Sequence, residues 1–231
     1  VTNNGRIEVI GGANSGILGG DGSSSEAAPF VNSLSGSIVV TGPGAFGINV
    51  GSPTRSQNDG TIEVAGSDSV GIAVLDSSGV FNTGSLEVSG SNATGVFGTN
   101  GVFLENTGSI TVSGDQATGA SLGNGSQITQ AGDLTLSGAG TIGLAGGRNT
   151  VIDNQPGARI VLEATALDAV GLAGADFGGQ ITNQGSITSS APGSIGIRLG
   201  SNANPGGNLG TMVFNANDSV GLQGGQATTT I

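Results

Sequence analysis

The chain repeats itself about every 24 residues, and that period constrains its fold more than any single residue does. Four consecutive units read NDGTIEVAGSDSVGIAV (58–74), NTGSLEVSGSNATGVFG (82–98), NTGSITVSGDQATGASL (106–122) and QAGDLTLSGAGTIGLAG (130–146). Each unit has a first glycine, at Gly5, Gly36, Gly60, Gly84, Gly108, Gly132, Gly157, Gly185 and Gly210. A second follows at Gly16, Gly47, Gly71, Gly95, Gly119, Gly143, Gly171, Gly196 and Gly221. A fixed period of this length marks a stacked array, because one such unit cannot bury its apolar face alone.

Each unit carries three short stretches patterned as β-strand. In the first, apolar residues alternate as in a half-buried strand. One inward column reads Ile7, Ile38, Ile62, Leu86, Ile110, Leu134, Ile187 and Met212, and the next reads Val9, Val40, Val64, Val88, Val112, Leu136 and Phe214. An extra residue in the seventh unit shifts the pair to Ile160 and Leu162, and Ser189 replaces the valine of the eighth, which predicts a weaker or widened rung. The second stretch brackets the second glycine with residues expected on one face, such as Phe46, Ile48 and Val50, or Val70, Ile72 and Val74. The third has an apolar column at Val80, Leu104, Ile128, Ile152 and Ile181.

Three strands of about 4 to 6 residues and three turns account for 24 residues. The predicted fold is therefore all-β: a single-stranded right-handed parallel β-helix (β-solenoid) of about nine coils. Residues 1–231 form one continuous repeat domain, with a loop insertion over 18–31. Asn58, Asn82, Asn106, Asn183 and Asn208, with Gln130 substituting once, are expected to open the turn and to stack amide on amide. The glycine after them is expected to supply a positive φ.

Composition narrows the function classes. Gly is 47 of 231, but regular apolar columns oppose a disordered chain. The net charge is −11 with no His, the wrong sign for binding nucleic acid phosphates. No apolar run approaches a membrane-spanning helix. The pattern is already running at residue 3 and still runs at Leu222, so the chain reads as a segment of a longer precursor.

The absence of His and Cys rules out hydrolytic triads that use a His base, thiol chemistry, and zinc sites built from those residues; with no Lys there is no Schiff base. Carboxylate chemistry remains, as in glycosidases or Ca²⁺-assisted polysaccharide cleavage. Glu63 and Glu87 share an outward column on adjacent rungs, with Glu8 further down, a candidate cation site. Thr111 and Thr135 continue that column as an ordinary solvated face. Asp68, Asp168 and Asp218 all stand three residues before the second glycine, as turn formers. Arg6, Arg55, Arg148, Arg159 and Arg198 are the only cations and are scattered. The sequence thus assigns no catalytic, cofactor-binding or metal-binding residue and no cofactor, and the chain is expected not to be an enzyme.

The unit N-x-G-x-[I/L]-x-V-x-G followed by x-x-G-[I/V] resembles the repeats of bacterial autotransporter passenger domains and related secreted β-helical exoproteins. NTGSLEVSGSNATG (82–95) and NTGSITVSGDQATG (106–119) carry the likeness best, and it runs through the whole chain. The resemblance implies export across both membranes of a Gram-negative cell and display on its outer surface. It implies a virulence-type adhesin or scaffold that binds a host or bacterial surface ligand, protein or glycan, or its own kind, with no nucleic acid partner. Membrane attachment would come only through a separate C-terminal barrel. The alternatives are an inert stalk presenting an enzyme encoded elsewhere in the precursor and a polysaccharide-active β-helix. No motif of a subtilase or GDSL type is present, so no functional residue carries over.

Overall fold

The computed structural model describes residues 1–19, 29–51, 53–174, 177–204 and 206–225. Among the described residues the chain forms 27 short strands and no helix. They assort into three nine-stranded sheets, each taking one strand from every coil. Each strand pairs in parallel with its counterpart one coil away, which gives a right-handed parallel β-solenoid with three strands per coil. Eight rung-to-rung steps of ~4.8 Å make a rod roughly 40 Å long.

The first sheet follows the first glycine and is in register as the repeat predicts. Across the strands Ser85–Val88 and Ser109–Val112, Leu86 faces Ile110, Glu87 faces Thr111 and Val88 faces Val112. The shifted pair of the seventh unit also lines up, with Ile160 opposite Leu134 and Leu162 opposite Leu136. Identical or near-identical β-branched residues therefore stack along the rod, and the inward columns form one apolar core with those of the other two sheets. Ser189 keeps the same register between Leu162 and Phe214. Its hydroxyl lies 2.6 Å from the Ser194 hydroxyl and accepts the Ala191 N–H at 3.1 Å. The substitution is thus absorbed by a polar pair with the register kept.

The second sheet departs from simple alternation. The residue before the second glycine (Phe46, Val70, Thr94, Thr118, Ile142) is only half-buried, whereas the glycine and the residue after it both face inward. Phe46 and Val70 are therefore not on the same face as Ile48 and Ile72, as alternation alone would place them. The chain bends at the glycine to close the coil. A Cβ at Gly47 or Gly119 would press on the next rung's glycine carbonyl and on the β-branched methyls of the first sheet. Just before the bend, a column of small residues (Ala45, Ser69, Ala93, Ala117, Thr141, Ala169, Ser194) is fully buried.

At most rungs the first glycine also has a different role from the one expected; Gly157, with φ of 89°, is the exception that keeps it. Gly60, Gly84, Gly108, Gly132 and Gly210 do not have positive φ. Each lies so close to the rung beside it that a Cβ would overlap that rung's glycine carbonyl oxygen. Close backbone approach, not backbone handedness, requires glycine here. Apart from Gly157, the left-handed positions lie in other turns, among them one residue in the turn between the first and second sheets: Ala13, Gly44, Asp68, Asn92, Gln116, Gly140, Asp168, Gly193 and Asp218.

In the third sheet the asparagines close the strand rather than open the turn, and their amides point into the solenoid. Asn32, Asn58, Asn82, Asn106, Asn154 and Asn183 are all buried. Each Nδ2 donates to the next amide oxygen, Asn58 to Asn82 at 2.7 Å, Asn82 to Asn106 at 2.6 Å and Asn106 to Gln130 at 2.9 Å. Asn3, Asn32 and Asn154 extend this ladder beyond the residues picked out by the repeat. The longer Gln130 turns its amide onto the Gly132 carbonyl, 3.0 Å away, and the buried Asn154 Oδ1 has no partner among the described residues. Gln130→Asn should restore the missing link and stabilise the chain by about 1 kcal/mol. A raised urea midpoint at unchanged slope checks it; a lowered midpoint would mean that the glutamine is the better fit.

The insertion predicted over 18–31 falls mainly on residues 20–28, which lie outside the described residues. On its flanks, Ser15–Leu18 and Phe30–Asn32 are strands, and Phe30 is buried in the core.

Candidate functional site

Among the described residues no Asp, Glu or Arg is buried, so the charged side chains lie on the outside of this rod. In the first sheet Glu63 and Glu87 are neighbours across adjacent rungs, while Val39 separates Glu8 from Glu63. Glu8 pairs instead with Arg6 at 3.3 Å, both side chains about half exposed. Among the described residues no group of three or more Asp or Glu is arranged to hold a metal ion. Asp68, Asp168 and Asp218 occupy the left-handed turn position, with φ of 56°, 56° and 58°. Asp and Asn tolerate that conformation better than other side chains, which accounts for them as turn formers.

The turn from the second sheet to the third carries its own ladder. Asp76 Oδ1 accepts the Asn100 N–H at 2.8 Å, Asn100 Oδ1 accepts the Asn124 N–H at 3.2 Å, and Asn124 Oδ1 accepts the Arg148 N–H at 2.9 Å. The nearby Thr99 hydroxyl and the Asn100 backbone N–H, which donates to Oδ1, hold the Asp76 carboxyl below the ordinary carboxylate range. Its contribution to stability is therefore present above about pH 4 and is lost as the pH falls through the lower, folded-state value. Asp76→Asn should shrink the difference between melting temperatures measured at about pH 6 and about pH 3. An unchanged difference would show that this turn is not acid-sensitive.

The same row of turns contains one anomaly. Its left-handed position, two residues before the third-sheet strand, is Ser77, Gly101, Gly125 and Asn149 on earlier rungs and Gly178 (φ 90°) in the seventh unit, where Phe177 just before it is left-handed as well, with φ of 49°. A bulky side chain there is a true backbone outlier. The ring is half exposed, and the Arg148 guanidinium lies over it, 4.5 Å from the ring centre. The Phe177 N–H donates to the Ser201 carbonyl at 2.9 Å.

Ser201 also lines an open groove of about 390 Å³ on the outer face of the second sheet. Its floor is made by Ala145, Gly146, Ala173 and Gly174, small residues on adjacent rungs, and Arg198 stands beside them. The outward column holds Phe97 and Ser121 on earlier rungs, so the groove arises where that column falls to alanine. Arg198 makes no ion pair among the described residues. Sequence reading did not single out this place. The signals present were alanine in two successive outward positions before Arg198, and a phenylalanine in the turn just before Gly178.

A second cluster lies on the third sheet, where the Arg55 guanidinium sits 4.0 Å above the Phe81 ring and Phe81 packs 5.7 Å from Phe103. These groups pack on one another along the rod, the two rings tilted by 55°, so their contacts are spent on neighbouring rungs.

Three in-register parallel sheets around one apolar core, with chemistry confined to the outer faces and turns, define a β-helical, passenger-like domain. The chain belongs to the family described as "BigA third pectate lyase-like domain", whose model matches residues 1–128. It is a surface β-helical domain. Comparison with curated proteins and with solved structures gave no match. The family corrects one expectation. The chain was expected not to be an enzyme because it lacks His, Cys and Lys and because its carboxylates and arginines are scattered, but a pectate lyase-like family points to a polysaccharide-lyase-type fold. The missing residues remove triads, thiolates and Schiff bases. They leave carboxylate and arginine chemistry available, and the scatter of those residues along the sequence does not exclude it.

Proposed function

We propose that this domain is an autotransporter-type adhesin segment that attaches the bacterial surface to a host or neighbouring-cell ligand. The observation that carries the reading is the groove beside the Phe177 turn. A rod built of repeated, self-satisfied rungs has departed from its pattern here, at the cost of backbone strain, to place an exposed ring and a cation beside an open depression. Strained positions of this kind gather at ligand sites, and recognition commonly sits on turns held by a rigid scaffold.

The test is binding of the labelled 231-residue chain to intact host and bacterial cells. Saturable binding, competed by unlabelled chain, is expected. Binding no better than that of a β-helical control of matched charge would overturn the reading. A second reading, action on a polysaccharide, is favoured by the pectate lyase-like description of the family. It predicts release of unsaturated oligosaccharides from polyuronates, read as ultraviolet absorbance with and without added Ca²⁺, and lack of such product would count against it.

A further inference from the structure

We infer that the groove beside Arg198 binds the end of a glycan that terminates in a single carboxylated sugar. The inference rests on the attachment reading and names its ligand. The groove lies outside the stretch matched by the family model, which ends at residue 128.

Three features select this chemistry. First, the floor is made of the small residues Ala145, Gly146, Ala173 and Gly174 and is mainly apolar, which suits the C–H face of a sugar ring. Its volume of about 390 Å³ is at the small end of the ~300–1,000 Å³ range of ligand pockets, which favours a short ligand. Secondly, Arg198 stands at this floor with no ion pair among the described residues, and a guanidinium fits a carboxylate through paired, charge-assisted hydrogen bonds. Thirdly, the chain as a whole carries a net charge of −11. Repulsion from that charge grows with each anionic unit of a polyuronate, whereas one terminal carboxylate lies within a Debye length, about 8 Å, of the local cation. One carboxylate is therefore favoured over many. The turn carrying Phe177 borders this floor through Ser201 and supplies an exposed aromatic edge.

The experiment measures binding of the full chain, and of Arg198→Gln and Phe177→Asn, to three immobilised probes. These are a trisaccharide ending in one sialic acid, the same glycan without that sugar, and polygalacturonate. Asn is chosen for position 177 because Asn149 and Asn202 already hold the same turn conformation, so the fold is kept. The expected result is a preference for the sialylated probe. Arg198→Gln should lose it by about tenfold or more, as befits a charge-assisted pair, with an unchanged melting curve. Phe177→Asn should weaken binding while raising the melting temperature. Equal binding to the neutral glycan, a preference for polygalacturonate, or full retention of binding by Arg198→Gln would each overturn the inference. If the chain binds cells but not the sialylated probe, the ligand assignment fails and the attachment reading survives; if it binds neither, both fail.

Discussion

Val88→Asp should abolish cooperative folding of the whole domain. Val88 is 1% exposed and stacks between Val64 and Val112 in the middle of the first sheet. An ionised carboxylate there has no cation and no spare donor to pair with, and burying it unpaired costs several kcal/mol. Taking up a proton lessens that cost but leaves a polar group in an apolar column. The effect should spread, because stability in a stacked array is a sum over rungs and their interfaces. Losing the fourth rung divides the stack into two shorter ones, each with a newly exposed apolar end. Circular dichroism should show a low, broad melt or none. The neighbouring outward change Glu87→Ala should leave stability within about 0.5 kcal/mol. A cooperative melt close to that of the parent chain for Val88→Asp would show that the rung column is not the core.

Gly108→Ala should be nearly as harmful, although it adds only one methyl group. The new Cβ would overlap the Gly84 carbonyl oxygen and press on the Thr83 backbone. Neither is the movable tip of a side chain, so the rungs themselves must separate. Overpacking of this kind costs about 3 kcal/mol, at the upper end of its usual range, and should lower the melting temperature by roughly 6–12 °C in a chain of this size. Gly5 supplies the control. It holds the same column position in the first rung of the 231-residue chain, and a Cβ there meets nothing within 4 Å. Gly5→Ala should therefore be close to neutral. Equal losses at Gly5 and Gly108 would return the glycine to a conformational role and refute close approach as its cause.

The contrast between these glycines shows what the sequence could and could not reveal. Period and alternation determine which residues share a column, so the stacking of Leu86 on Ile110 and of Val88 on Val112 was legible without coordinates. Why glycine recurs was not, because both a left-handed turn and a close backbone contact select it. The asparagine column was ambiguous for a similar reason. A recurring polar residue beside a glycine looks like a turn, and only the stacked geometry shows that Asn58, Asn82 and Asn106 satisfy one another inside the core. Alternation misplaced Phe46 and Val70 because it assumes a straight strand, and the chain bends at the following glycine.

The candidate site was hidden by the regularity that revealed the fold. The groove depends on what is small in an outward column, Ala145 and Ala173, and an absence of bulk does not stand out in a sequence already rich in small residues. Phe177 stands beside Gly178 in a turn one residue longer than that of the preceding rung, and that turn is recognisable only from the left-handed backbone it shares with Asn149 and Asn202. The five arginines are scattered in sequence, and only the fold places Arg198 at the groove and Arg148 over Phe177.

The parallel, in-register stack can be tested directly by engineered disulfides, since the chain has no cysteine of its own. Glu87 and Thr111 face each other on adjacent rungs of the outer face. At the rung spacing of ~4.8 Å their Cα atoms fall within the roughly 4.4–6.8 Å that a disulfide spans. Thr135 lies one rung further, at about 10 Å from Glu87, beyond that reach. Under mild oxidation, Glu87→Cys with Thr111→Cys should cross-link rapidly and Glu87→Cys with Thr135→Cys should not. Rapid cross-linking of the second pair, with none in the first, would contradict the stack.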